Sequence, residues 1–557
     1  MELNWLGGCV LGALFLLLSG WMLFSQLRAR KRLEDRLRSG FGRAPDAEEQ
    51  YRLDGVARYD EQRAAQAQGE GRVDDITWND LDMDALYRRV NVCLTSAGEA
   101  RLYRLLREPE ESDAEACEKR MAPLAEEALR FQVQRLLLRA GKEHHSAMES
   151  LLFAPAASRI RPGWLFPLLL AAEALSLPLW FFWPAAGLAL LIAAVAASSA
   201  FSMAYRLRID AQLRGLRYLA SLLWAARRLC AIQGDAWRAC IAPVREAAQP
   251  LKRLRGLLSG DASFMAGDLL FVWDLLRMLV PVDLVLFNRR LAFMQREQER
   301  VQRFYEAIGD IDVALCVLSL RESLHFWCRP DFTQSLEIRF ERLYHPLLAH
   351  PVDNSGHVGR STLITGSNAS GKSTFIRSLA LGMIMARSLH TCCAQRLCVR
   401  RMPVFTSMAL RDDLLAGESY FVTEIKSLRR ILEAVRRGPC ACFVDEILRG
   451  TNTPERLAAS TAVLRWLHGQ DCLCAAATHD LELTRILREE YACFHFRERL
   501  ENGEILFDYR LYPGPSRTRN AIGLLRVMGL DADIVDEAER LAGRDEEEEE
   551  TASPQDG

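Results

Sequence analysis

Net charge is almost absent from this chain: 71 Lys and Arg stand against 73 Asp and Glu in 557 residues, a formal charge of −2. That excludes a wholesale basic nucleic-acid binder, although a local basic groove is compatible with it. The cysteine density of a disulfide scaffold is lacking too. Fifteen cysteines, scattered from Cys9 to Cys493, suit free thiols in a reducing compartment. No internal repeat is visible. Half of the residues are hydrophobic and 26% are charged, which excludes a chain disordered throughout. The length is too great for one compact core and argues for about three or four units.

Charge is also missing locally. Trp5 to Phe24 is a run of twenty residues without a charged group, about 30 Å as a helix and matched to a hydrocarbon core. It has no basic n-region and no clear small-x-small cleavage site, so it reads as a span rather than a cleaved signal. Arg28, Arg30, Lys31 and Arg32 follow it, which places the N-terminus outside and the remainder in the cytoplasm. A second block, Trp164 to Met203, holds one ionisable residue, Glu173, in forty. Its length predicts a two-helix hairpin with a turn near Pro178 or Pro184. Arg159 and Arg161 precede it, and Arg206 and Arg208 follow, so both ends face the cytoplasm. Glu173 reads either as a functional acid or as a side chain hydrogen-bonded to the neighbouring helix, with the second preferred because the block holds no relay partner.

These features divide the chain into a transmembrane helix at 1–26, a charged linker at 27–80, and a helical core/lever region at 81–329 carrying the hairpin at 164–203. An α/β layer at 330–543 and an acidic tail at 544–557 complete it. The helical region shows three- and four-residue apolar spacing, as at Leu102, Leu105 and Leu106. Past Pro330, β-branched and aromatic runs alternate with helical stretches, the pattern of a nucleotide-binding α/β fold.

Residues 366–373 read GSNASGKS, a G-x-x-x-x-G-K-S loop between the apolar segment Ser361–Thr365 and a helical pattern. Gly366 and Gly371 let the backbone wrap so that the N–H groups of Gly366, Ser367, Asn368, Ala369, Ser370, Gly371, Lys372, Ser373 and Thr374 face phosphate oxygens. Lys372 would supply a charge to the β/γ-phosphates of ATP, and the Ser373 hydroxyl would ligate Mg²⁺. The strand CFVDE ends in Asp445, a second Mg²⁺ group, and Glu446, placed to polarise the attacking water. After a further apolar strand, ATHD puts His479 where a γ-phosphate sensor would stand. Cys440, Cys442, Cys472 and Cys474 have the wrong spacing for zinc and read as the buried faces of strands.

These motifs resemble the MutS family of mismatch-repair ATPases. TGSNASGKST resembles that family's TGPNMGGKST, and DEILRGTNTPER resembles DEIGRGTSTYDG, with Leu448 departing at the usual glycine. ESYFVTEIKSLRRIL is similar to the family's serine-containing segment at Ser419, Phe421 and Glu424. LYHPLL and NVCLTSAGEARLYRLLREP resemble the lead-in to the ATPase and the opening of the lever domain. The resemblance implies a P-loop (ABC-type) α/β ATPase domain preceded by an all-α lever domain, ATP and Mg²⁺ as cofactors, and a homodimer whose partner subunit supplies Ser419 across the site. The segment 518–543, with Ile522, Leu525, Met528 and Ile534, would join the two ATPase domains. The family's mismatch-reading domain carries a Phe-x-Glu wedge; Phe304-Tyr305-Glu306 matches it literally but lies in a helical stretch and reads as helix core and surface.

The expectation is a multi-pass cell-membrane ATPase with three spans and a cytoplasmic ATPase domain. Its function would be the coupling of ATP to binding of mismatched or branched DNA in repair, with Arg253, Arg255, Arg289 and Arg290 as candidate phosphate contacts. The alternative is a mechanical membrane ATPase acting on protein or lipid partners without DNA.

Overall fold

The computed structural model describes parts of 28–45, and 53–66, 71–109, 114–155, 159–160, 163–252, 282–367, 370–408, 420–449, 451–501, 504–516, 529–538 and 540–541. The expected span Trp5–Phe24, the residues Asn368, Ala369, Ser419, Arg253, Arg255, Ile522, Leu525 and Met528, and the acidic tail lie outside them. The chain forms two compact units. One comprises Met1–Gln68, Tyr87–Arg104 and Ser112–Ser323; the other comprises Gly69–Leu86, Leu105–Glu111 and Leu324–Gly557.

The first unit is helical. Its spine is the helix Gln298–Ser323, which buries Val301, Phe304, Tyr305, Ile308 and Ile311. Phe304 and Tyr305 are therefore core residues, as their spacing indicated. Asp312 of the same helix is fully buried and accepts hydrogen bonds from the Thr95 N–H at 2.8 Å and hydroxyl at 2.6 Å. These fix the start of the helix Ser96–Arg107. Gly98 makes room for it: a Cβ there would stand 2.3 Å from Asp312 Oδ2.

The apolar block folds as a hairpin. Leu165–Phe182 is one helix, Trp183 alone forms the turn, and Pro184 opens a helix of 47 residues ending at Cys230. Pro178 lies inside the first helix, so of the two turn positions read from the sequence only Pro184 stands. Leu165–Phe182 and Pro184–Tyr205 are each long and apolar enough to cross a membrane. Among the described residues these are the two candidates; the third expected span, Trp5–Phe24, lies outside them. Leu175, Leu177, Phe181, Phe182, Leu188 and Ile192 are exposed on the hairpin. Glu173 points inward, and its Oε1 accepts the Ser198 hydroxyl of the facing helix at 2.5 Å; the hydrogen-bonded reading of this acid is the observed one. Near the hairpin, the helix Val282–Arg296 presents Arg289 to solvent but buries Arg290. Arg290 is thereby removed from the set of candidate phosphate contacts, because a guanidinium inside a packed unit cannot reach a ligand.

The second unit is α/β. Its main sheet runs β10-β9-β4-β8-β7-β6, with β4 Ser361–Thr365, β6 Val404–Ser407, β7 Cys440–Asp445, β8 Cys472–Thr478, β9 Ala492–Glu501 and β10 Glu504–Pro513. All neighbours are parallel except the β9–β10 hairpin. Every residue of β4, β7 and β8 is buried, as expected for parallel strands covered on both faces. A second sheet, β1-β5-β2-β3, is built from β1 Pro330–Thr333, β2 Ile338–Leu343, β3 Asn354–Val358 and β5 Arg396–Arg400. Cys440, Cys442, Cys472 and Cys474 lie in the core between β7 and β8, and all fourteen cysteines among the described residues are free thiols. The stretch read as a charged linker, 27–80, carries the helices Asp54–Gln66 and Asp75–Asp80. The second of these packs beside β6 within the α/β unit, because Thr77 and Trp78 are buried and Asp74 caps its N-terminus.

Candidate active site

Parallel strands send their C-terminal ends to one edge, and the register makes this specific. Thr365 stands opposite Thr478, Asp445 opposite Ala477, and Ser407 opposite Val444. The loops after β4, β7 and β8 therefore meet at one crevice, where open α/β sheets place their ligands.

The glycine-rich loop follows β4 directly and leads into the helix Lys372–Ser388. Gly366 has φ +147°, and a Cβ there would lie 2.8 Å from Ser370 Oγ and 2.9 Å from the Phe496 carbonyl oxygen. Gly371 adopts φ +107° at the start of the helix. Lys372 is buried and donates from Nζ to the carbonyl oxygens of Gly366 at 2.6 Å and Ser367 at 2.8 Å. Burial pushes its pKa down, while the carboxylates of Glu446, Asp445 and Glu498 pull it back up. The Ser367 hydroxyl donates to Glu498 of β9. Ser370 Oγ is buried with no hydrogen-bond partner, and Thr374 is exposed.

Asp445 closes β7. Burial raises its pKa, and a hydrogen bond with the Ser373 side chain opposes that shift. Its Oδ1 is buried and has no partner. An orphaned carboxylate oxygen next to a hydroxyl is a hard-oxygen donor pair of the kind Mg²⁺ takes, the remaining positions going to water and phosphate. Among the described residues no group of three or more His, Cys, Asp or Glu could hold a metal by itself, so the pair fits an ion shared with a phosphate ligand rather than an all-protein cage.

Glu446 sits at φ +56°, an uncommon conformation for a side chain other than glycine. Its N–H donates to the Ala477 carbonyl oxygen at 3.0 Å. Its Oε1 lies 3.3 Å from His479 Nδ1, and its Oε2 lies 3.2 Å from Arg449 Nη1. The His479 bond is the main reason that the Glu446 carboxyl is held below its ordinary range, and the same bond raises the imidazole. Asp480 fixes the following turn through two bonds to Arg456, at 3.0 and 2.9 Å. Lys372, Ser373, Asp445, Glu446 and His479 are thus brought to one edge.

Further groups at this edge were given no role from the sequence, although Glu424 and Arg449 lie within the segments matched there. Arg449 is separated from Glu446 by only three positions, but its direction depends on the turn between them. Glu498 and Tyr509 come from the β9–β10 hairpin; Tyr509 has φ +54°, and its ring stands 3.1 Å from a Cβ built on Gly371. Glu424, in the helix Tyr420–Arg437, accepts the Arg449 N–H at 3.2 Å. Strand pairing across the sheet brings Glu498 and Tyr509 to the loop.

Residues 362–544 match the family model for MutS domain V. The DNA mismatch repair protein MutS of Thermus thermophilus is 30% identical over 265 residues, covering 45% of this chain and 31% of that protein. The protein of the same name from Natronomonas pharaonis is 30% identical over 258 residues, 44% and 30% of the two chains. That of Streptococcus mutans is 26% identical over 272 residues, 46% and 31%. The chain thus spans about a third of the length of the curated relatives it matches. The likeness lies in the C-terminal α/β unit, where residues 362–544 match MutS domain V, the ATPase domain of that family.

Proposed function

We propose that this protein is a MutS-like P-loop ATPase held at a membrane by its helical hairpin, hydrolysing ATP with Mg²⁺ as a homodimer and coupling turnover to DNA. The observation that carries the ATPase reading is the buried, unpartnered Oδ1 of Asp445 beside Ser373, one residue before a Glu446–His479 pair. The loop amides and Lys372 would bind and orient the phosphates. Ser373 and Asp445 would hold Mg²⁺, which supplies charge neutralisation at the β- and γ-phosphates. Glu446 would take the proton of the attacking water, with His479 and Arg449 fixing the direction of its carboxylate.

Coupling to DNA rests on the relatives' printed name, and membrane tethering on the length and outward apolar faces of the hairpin. Localisation at the cell membrane with the ATPase domain in the cytoplasm follows from the arginines flanking that hairpin. The test of the reaction is steady-state turnover beside nucleotide binding. Glu446→Gln is expected to bind ATP normally and hydrolyse it at least about 10²-fold slower; wild-type turnover in that variant would remove Glu446 from the role. For the dimer, Lys372→Ala and Ser419→Ala chains, each inactive alone, are expected to regain activity on mixing. Failure to do so with subunit exchange established would count against a shared site.

A further inference from the structure

Edge strand β6 ends one position short of the level of Asp445, and its outer backbone groups are not left to solvent. The Thr406 N–H donates to Thr77 Oγ1 at 3.2 Å, and the Thr406 hydroxyl donates to Asp80 Oδ2 at 2.7 Å. The same Asp80 oxygen accepts the Met408 N–H at 3.1 Å. Arg430, on the helix Tyr420–Arg437, donates to Thr77 Oγ1 at 3.2 Å, to the Thr406 carbonyl oxygen, and pairs with Asp74. The short helix Asp75–Asp80 thereby locks β6 to the helix that carries Glu424, which in turn holds the Arg449 N–H, while the Arg449 side chain meets Glu446.

We propose that Asp80, together with Thr77, is a positioning residue for the nucleotide site: this segment sets the place of β6 and the helix Tyr420–Arg437, and through Glu424 and Arg449 the aim of Glu446. The inference rests on the reading of this domain as an ATPase. No local pattern marks Asp80 for this role, since its partners Thr406 and Met408 are 326 and 328 positions away. Hydrogen bonds to a buried edge are short-range and directional, so a small displacement at β6 is expected to cost rate rather than binding.

The experiment compares wild type, Asp80→Ala, Asp80→Asn and Thr77→Val in the full-length, detergent-solubilised protein. It measures kcat per nucleotide site, ATP affinity, and the number of nucleotide sites per chain. Asp80→Ala is expected to lower kcat about tenfold at unchanged ATP affinity and site number. Asp80→Asn keeps an oxygen that accepts from Thr406 and Met408, and is expected to restore most of that loss. Thr77→Val, isosteric and without the hydroxyl, is expected to fall in the same direction as Asp80→Ala and decides the matter if the alanine variant does not fold. A merely structural role would reduce the number of sites and leave kcat per site unchanged, and that result overturns the proposal. Wild-type protein that binds ATP without turning it over would overturn the ATPase reading itself, and this inference with it; normal wild-type turnover with unaltered variants overturns this inference alone.

Discussion

Glu446 Oε1 and His479 Nδ1 stand 3.3 Å apart, and each moves the other's proton affinity: the carboxyl falls and the imidazole rises from its ordinary 6.5. Because the folded value of His479 is raised, the ion pair is complete below about pH 6.5 and is lost as pH climbs through the raised value. At its acid end it persists until the lowered Glu446 pKa is crossed. A carboxylate freed from an imidazolium is the better base, so turnover is expected to rise with pH across the His479 titration. His479→Gln is expected to flatten that limb of the kcat profile. An unchanged limb in this variant would assign the titration to another group.

Leu448 occupies φ +56° and is buried in the core beneath β7 and β8. This is the position where the resembling motif has glycine, so backbone strain of about 1 kcal/mol is offset here by burial of a leucine side chain, about 2 kcal/mol or more. Leu448→Ala removes the burial and keeps the strain; Leu448→Gly removes both. The glycine variant is therefore expected to melt no lower than the alanine variant, the reverse of the usual order. A clearly lower melting temperature for Leu448→Gly would show that the strain is small.

In the helical unit, Gly98→Ala is expected to destabilise. Helix propensity would favour alanine by about 1 kcal/mol, but its Cβ would stand 2.3 Å from Asp312 Oδ2 and 2.7 Å from Asp312 Cβ, and such overpacking costs about 1–3 kcal/mol or more. Burial also pushes the Asp312 carboxyl up to about 6. The folded state therefore holds the proton more tightly than the unfolded chain, and stability falls as pH rises from about 4 through 6. Thermal unfolding of Asp312→Asn is expected to lack that slope, and a retained slope would place it elsewhere.

Leu175 is exposed on the hairpin, and replacing it with arginine puts a charge on the outward face of the span. Such a charge costs about 2.5–3.5 kcal/mol at a helix centre during insertion. The fraction of Leu175→Arg resistant to alkaline extraction from membranes is expected to drop well below that of wild type. Equal retention would count against this face meeting lipid.

The extent to which the sequence was legible follows the range of the interactions. The glycine-rich loop, Lys372 and Ser373 are contiguous, and their strand–loop–helix setting is local: β4 ends at Thr365 and the helix begins at Lys372. The apolar hairpin was legible for the same reason, since hydrophobic length is a property of consecutive residues. Proline alone could not choose its turn, because Pro178 is accommodated inside a helix.

Sequence by itself singled out the candidates for this site: Lys372, Ser373, Asp445, Glu446 and His479 were named from spacing and residue type. Tertiary structure alone decided what those residues meet. The parallel register lays Thr365, Asp445 and Thr478 on one edge, the β9–β10 hairpin brings Glu498 and Tyr509 to the loop, and the segment around Asp80 braces β6. Arg290, read as a surface charge, is buried. Pattern and propensity act over a few residues, whereas strand pairing and side-chain burial join positions hundreds apart, and no local rule encodes which distant partner will be found there.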